Sequence, residues 1–313
     1  MTHRIPCSLA AVLLVPALGT LGAPIAGAAP PSADHPPELL TRITNAYPAT
    51  SPDGTRIAYM SNADGDFDIY VMDPSHGEIR RLTDAPGRDG TPAWSPDGRR
   101  IAFQSFRDGH SQIYVMNADG SDPVHLAAGP WKDEHPTWSA DGGRILFDST
   151  RPEAEGETGN VDLYTMRADG SGLRRLTATP EVETYPSWSP DGSRIVCRRV
   201  LSETDWAIVV LEADGTHDRV LAPDPGVDGW PVWSPDGTRI AFASERAGSS
   251  DLYVVNADGT GLTRVTFDES RDDRQASWSP DGRLLLFARY RWFPDQPFYE
   301  ASEIYVVRAP AAG

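Results

Sequence analysis

Trp94-Ser95-Pro96-Asp97-Gly98 is a tight-turn phrase that returns as Trp188-Ser189-Pro190-Asp191-Gly192, Trp233-Ser234-Pro235-Asp236-Gly237 and Trp278-Ser279-Pro280-Asp281-Gly282. Two looser copies belong to the same series. Trp138-Ser139-Ala140-Asp141-Gly142 lacks the proline, and Thr50-Ser51-Pro52-Asp53-Gly54 lacks the tryptophan. The aspartates of the six copies stand at positions 53, 97, 141, 191, 236 and 281, so the steps between them are 44, 44, 50, 45 and 45 residues. A period of this length marks a repeat architecture.

Working outward from the phrase, each unit contains four short strand-like runs. In the second unit an inner strand ends at Trp94-Ser95, followed by Ile101-Ala102-Phe103, Ile113-Tyr114-Val115-Met116 and Val124-His125-Leu126. The runs are β-branched or aromatic and bounded by turns. Pro96-Asp97-Gly98 and Ala118-Asp119-Gly120 suit hairpins, because proline presets the first turn torsion and glycine accepts positive φ. Four antiparallel strands per repeat make one propeller blade. No segment carries a helical period. The fold class expected is all-β, a six-bladed propeller of four-stranded antiparallel blades.

The chain ends supply a closure. The last unit stops after its third strand, Ile304-Tyr305-Val306-Val307, whereas Leu40-Thr41-Arg42-Ile43-Thr44 matches the fourth-strand phrases Arg81-Leu82-Thr83, Arg175-Leu176-Thr177 and Arg264-Val265-Thr266. Residues 38 to 44 are therefore expected to complete the sixth blade and remove the open edges.

Composition bounds what the chain can bind. Its 313 residues carry a formal net charge of −17, which excludes the basic footprint that nucleic acid demands. Residues 1 to 28 read as a secretory signal, with His3 and Arg4 before an apolar Leu9 to Leu21 stretch and small residues at Ala26-Gly27-Ala28. Residues 29 to 37 form a Pro- and Ala-rich flexible lead-in, and 38 to 313 one propeller domain. No other segment has the length to cross a bilayer. The expectation is an exported monomer, secreted or held in the cell envelope or periplasm. Cys7 leaves with the signal, so Cys197 has no partner and burial must stabilise the fold.

The repeats resemble the TolB-type propeller family, whose blades carry the same Trp-Ser-Pro-Asp-Gly turn, an aromatic-rich third strand and an Arg-Leu-Thr fourth strand. The resemblance spans roughly residues 38 to 308 and implies the fold. The family's motif is architectural, occurring in binding proteins, in propellers attached to peptidases and in some lyases. TolB proper also carries an α/β domain ahead of its propeller, and none is expected in this chain.

Propeller geometry puts the Asp-Gly turns on one face. The links between blades and the loops between second and third strands lie on the other, more variable face, which includes an acidic insertion from Glu153 to Asn160 and an aromatic one from Tyr290 to Tyr299. Variable loops on a rigid scaffold are where recognition sits. Five residues before each repeat tryptophan stand Asp89, Asp133, Glu183, Asp228 and Asp273, with Asn45 at the matching place in the first unit. Six oxygen-bearing side chains at the channel mouth would suit a hard cation such as Ca2+. Alternatively, they satisfy backbone amides in the inter-blade turns, with Arg88, Lys132 and Arg274 offsetting the charge.

Three residues before the tryptophan stand Tyr47, Thr91, His135, Tyr185, Trp230 and Gln275, a mixed set near the same mouth. Tyr47, His135, Tyr185, Trp230 and Gln275 are ligand-binding candidates, since aromatic groups favour binding hot spots; packing between blades is the competing reading. The Trp292-Phe293-Pro294 and Phe298-Tyr299 cluster is a further contact candidate. No catalytic residue is assigned, there being no Gly-x-Ser-x-Gly turn and no histidine-rich metal set. The functional expectation is a non-enzymatic propeller binding a protein, peptide or glycan at its variable face. A cation-assisted lyase or hydrolase at the central channel is the first alternative, and a component of a Tol-Pal-like envelope complex the second.

Overall fold

The computed structural model describes residues 43–152, 160–224, 226–291 and 301–311. Every regular element among them is a β-strand. They form six antiparallel sheets in chain order, five of four strands and a last one of three. The second blade shows the plan: Asp89–Trp94 innermost, then Arg100–Ser105, Gln112–Asn117 and the short outer Val124–His125. No described helix is long and apolar enough to cross a membrane.

The repeated turn is built from its own side chains. In all six copies the serine hydroxyl donates to the aspartate Oδ1, from 2.5 Å at Ser51–Asp53 to 2.6 Å at Ser279–Asp281. The amide two residues after the aspartate donates to the same oxygen. These bonds pull the Asp53 and Asp191 carboxyls down to about 2, the serine hydroxyl being the largest cause in each. Gly98 completes the turn at φ 68°, in the left-handed region that a Cβ disfavours.

The core lies between blades. Trp94 and Trp138 bury their rings against the preceding blade, and their indole N–H groups donate at 3.1 Å to the carbonyls of Ala49 and Ala93. Trp278 does the same to Val232 at 3.3 Å. From the preceding blade an arginine stacks on the ring: Arg56 on Trp94, Arg100 on Trp138, Arg194 on Trp233 and Arg239 on Trp278, at 4.6 to 4.9 Å. At the seam between the last blade and the first, both partners are replaced together. Leu284 stands in the arginine position and Thr50 in the tryptophan position.

That seam is closed by packing. Ile57, Tyr59, Tyr70 and Met72 of the first blade share a core with Leu286, Ile304 and Val306 of the last, and the Tyr47 amide donates to Gln275 Oε1 at 3.2 Å. Of the segment 38–44 expected to complete the sixth blade, only Ile43 and Thr44 are described. They reach the start of the last strand: Thr44 bridges Ser302 in parallel, and the Ser302 amide donates to the Ile43 carbonyl at 3.3 Å. The signal and lead-in, residues 153–159 of the acidic insertion and the 292–299 aromatic cluster lie outside the described residues, while Tyr290 and Arg291 end the Leu284–Arg291 strand. Cys197 is free and fully buried.

Candidate functional site

Both candidate columns lie on the six innermost strands: Asn45–Thr50, Asp89–Trp94, Asp133–Trp138, Val182–Trp188, Asp228–Trp233 and Arg271–Trp278. The acidic column is buried. Asp89, Asp133, Glu183 and Asp273 have no solvent exposure and Asp228 almost none. Each acid is held by an arginine of its own blade: Asp89 by Arg107 at 3.0 Å, Glu183 by Arg199 at 2.6 Å, Asp228 by Arg246 at 2.8 Å and Asp273 by Arg289 at 2.7 Å. Asp133 is held by both Arg151 Nε and Nη2, and by the Ser149 hydroxyl at 2.6 Å. Burial pushes the carboxyls of Asp89, Asp133, Asp228 and Asp273 upward, and the guanidinium beside each opposes it.

These arginines were not among the residues expected to offset the charge, yet the repeat carries their signal. They follow the acid by 18 residues at Arg107, Arg151 and Arg246, or by 16 at Arg199 and Arg289. The first blade is an internal control. There the acid is Asn45, and eighteen residues on stands Ala63. Where the charge is missing, so is its partner.

Two residues along the strand the geometry changes. Tyr47, Thr91, His135, Tyr185, Trp230 and Gln275 all adopt left-handed backbone, with φ between 48° and 59°. In every blade the ladder slips at this point, for example between Gly90 and Ala93 and between Gly229 and Val232. Pro48, Pro92, Pro136, Pro186 and Pro231 follow five of the six, and a proline inside a strand cannot donate to the ladder and suits a bulge; in the sixth blade the same bulge forms with Ala276 in that place. Such strain in non-glycine residues costs on the order of 1–3 kcal/mol each and gathers at functional sites.

The six residues and the prolines behind them line one axial pocket of about 170 Å³. Its rings touch. His135 lies 3.8 Å from Tyr185 and Tyr185 lies 5.4 Å from Trp230, centroid to centroid, and the Tyr47 and Tyr185 hydroxyls meet across the pocket at 3.4 Å. Enclosure by these neighbours pushes the Tyr185 phenol well up. Gln275 is fixed by the Tyr290 hydroxyl, which donates to Oε1 at 2.8 Å.

His135 shares a bond of 2.8 Å between its Nδ1 and Asp148 Oδ1, and the Tyr185 amide donates to that same oxygen at 3.1 Å. Glu134, His135 and Asp148 each bring one ligand atom within 4.8 Å of the others, the one such group among the described residues. The acidic column does not come together in this way. Sequence reasoning singled out neither Asp148 nor the cluster, because Asp148 becomes a neighbour only through strand pairing with Glu134.

Comparison with known proteins fits this architecture. TolB from Acinetobacter baumannii superposes with a TM-score of 0.67 at 22% identity, over 77% of this chain and 58% of that one, so the chain spans little more than half its length. The tricorn protease gives 0.61 at 19% identity over 83% of this chain and 26% of that one. An oligogalacturonate lyase in complex with manganese gives 0.54 at 17% identity over 85% and 90%. These likenesses show the fold. No curated protein matches the chain in sequence. Residues 40–155 and 198–292 match the family described as the TolB beta propeller domain, and with the six-bladed ring in place the chain belongs to that family.

Proposed function

We propose that this chain is an exported, non-enzymatic binding propeller that seats a side chain or chain end of a protein or peptide partner in its axial pocket. One observation carries the reading: a position that is geometrically the same in all six blades holds Tyr, Thr, His, Tyr, Trp and Gln, all turned by a strained bulge onto one cavity. Uniform backbone with varied side chains is how a scaffold presents recognition groups. The cavity of about 170 Å³ is smaller than the roughly 300–1,000 Å³ of pockets that engulf a whole small molecule. It suits an anchor point for a larger ligand. Export is supported by the leader pattern of residues 1 to 28, and a partner within a Tol-Pal-like envelope assembly by family membership alone.

Selection from a displayed peptide library tests it. Peptides selected on the wild-type protein should bind Trp230→Ala much more weakly; a selection that yields no binders, or binders indifferent to Trp230 and Tyr185, refutes the pocket.

A second reading has its own observation. The imidazole and two carboxylates of Glu134, His135 and Asp148 are a mixed nitrogen and oxygen donor set, suited to a divalent transition metal. A cation there would act as a Lewis acid beside the pocket, in keeping with cation-assisted lyase or hydrolase chemistry. Calorimetric titration of chelator-treated protein with manganese, zinc and calcium tests this; no heat in the wild type, or heat unchanged in His135→Ala, rejects it.

A further inference from the structure

We propose that Arg198 is the anchor for a carboxylate on the ligand, the C-terminal carboxylate of a peptide inserted into the axial pocket. The inference rests on the pocket reading above.

A second tier of side chains lies beside the strained ring. Where each inner strand pairs with the second strand of its blade, the second strand presents in turn Met60, Gln104, Asp148, Arg198, Ala243 and Ala288. One cation occurs in that tier. In the next blade Gly229 lies beside the arm, where a Cβ would reach Arg198 Cδ at 3.5 Å, an ordinary contact. The arm lies along the seam between the fourth and fifth blades, and its guanidinium stacks 4.6 Å from the Tyr185 ring, 4.5 Å from Trp206 and 6.0 Å from Trp230. Two of those three rings line the pocket.

Stacking fixes the plane, and one hydrogen bond fixes the rotation: Arg198 Nε donates to Thr184 Oγ1 at 2.9 Å. Both terminal nitrogens remain without an acceptor or an ion pair among the described residues. The adjacent Arg199 shows the contrast, being held by Glu183 and by Asp218. No ion pair joins Arg198 to Asp148 of the neighbouring blade, whose Oδ1 is bonded to His135 and the Tyr185 amide. The buried indole N–H groups of Trp206 and Trp230 also find no acceptor among the described residues. Buried donors left unpaired are costly. In a chain of net charge −17, a preorganised guanidinium without a carboxylate, lying against two unmatched indoles, is a site for an acceptor that arrives with the ligand. A guanidinium fork matches a carboxylate in a bidentate manner, which a lysine does not.

N-acetyl-phenylalanine and its primary amide are matched probes that differ only in the charge at the chain end. Titration of the full chain, followed by tryptophan fluorescence, should give saturable binding of the acid at least tenfold tighter than of the amide. Arg198→Gln, with its β-sheet circular dichroism intact, should abolish that preference, and Arg198→Lys should retain a part of it. Equal binding of acid and amide, or a preference that survives Arg198→Gln, overturns the anchor. If library-selected peptides still depend on Trp230 in that case, the pocket reading stands without it; if neither the probes nor selected peptides bind, both readings fall.

Discussion

Two columns of side chains sit two residues apart on the same six strands, and they have opposite fates. The outer one, Asp89, Asp133, Glu183, Asp228 and Asp273, is nearly uniform, buried and neutralised blade by blade. The inner one is varied, strained and open to a common cavity. The difference teaches how to read a repeat. A side chain that recurs with its partner, and vanishes together with it as in Asn45 and Ala63, belongs to the architecture. A side chain that changes while its backbone stays fixed is available for recognition.

The largest expected effect breaks the first column. Arg151→Met leaves the Asp133 carboxylate buried and uncompensated, and should lower unfolding stability by about 3–5 kcal/mol in denaturant titration. The double replacement Asp133→Asn with Arg151→Ala copies the first blade into the third and should recover most of that loss. If the double variant is as unstable as the single one, the ion pair is not the reason for the column.

Next in size is the second column. Trp230→Ala should weaken a selected peptide by about 2 kcal/mol or more, the level of a binding hot spot, which is roughly a 30-fold rise in Kd. Smaller again is the release of strain. Thr91 is β-branched and sits at φ 48°, so Thr91→Gly should raise stability by about 1 kcal/mol, read as an increase in Tm. A fall would mean that the bulge is not strained there.

The smallest effect concerns the turns on the opposite face. Asp53 and Asp191 titrate at about 2, below the ordinary 3.8. A depressed carboxylate adds stability that is full above the ordinary value and is lost as pH falls through the folded one. Ser51→Ala or Ser189→Ala should therefore lower stability slightly at neutral pH and move the acid-unfolding midpoint, followed by tryptophan fluorescence, to higher pH, with the deficit closing as pH falls from about 4 to 2.

Much of this was legible in the sequence. The phrase from Trp94 to Gly98 and its copies fixed blade number, strand order and the turn face, because a turn that bonds its own aspartate needs only local residues. The positions of both columns were also readable by counting back from the tryptophan. What each column does was not. Arg107 and Arg151 meet their acids only when the second strand folds back beside the first, although the covariation of Asn45 with Ala63 inside the chain carried that information. The bulge was foreshadowed by prolines inside inner strands, from Pro48 to Pro231. Asp148 and Arg198 had no such sign: their importance comes from the neighbouring blade, through Tyr185 and Gly229, and no local pattern encodes that contact.

The division of labour between the columns can be tested in one series of thermal denaturations, with and without a saturating selected peptide, on the wild type, the Asp133→Asn/Arg151→Ala double variant and Trp230→Ala. The account predicts that the peptide raises the Tm of the wild type and of the double variant alike and that of Trp230→Ala by much less. A peptide-induced rise that disappears in the double variant and persists in Trp230→Ala would contradict it.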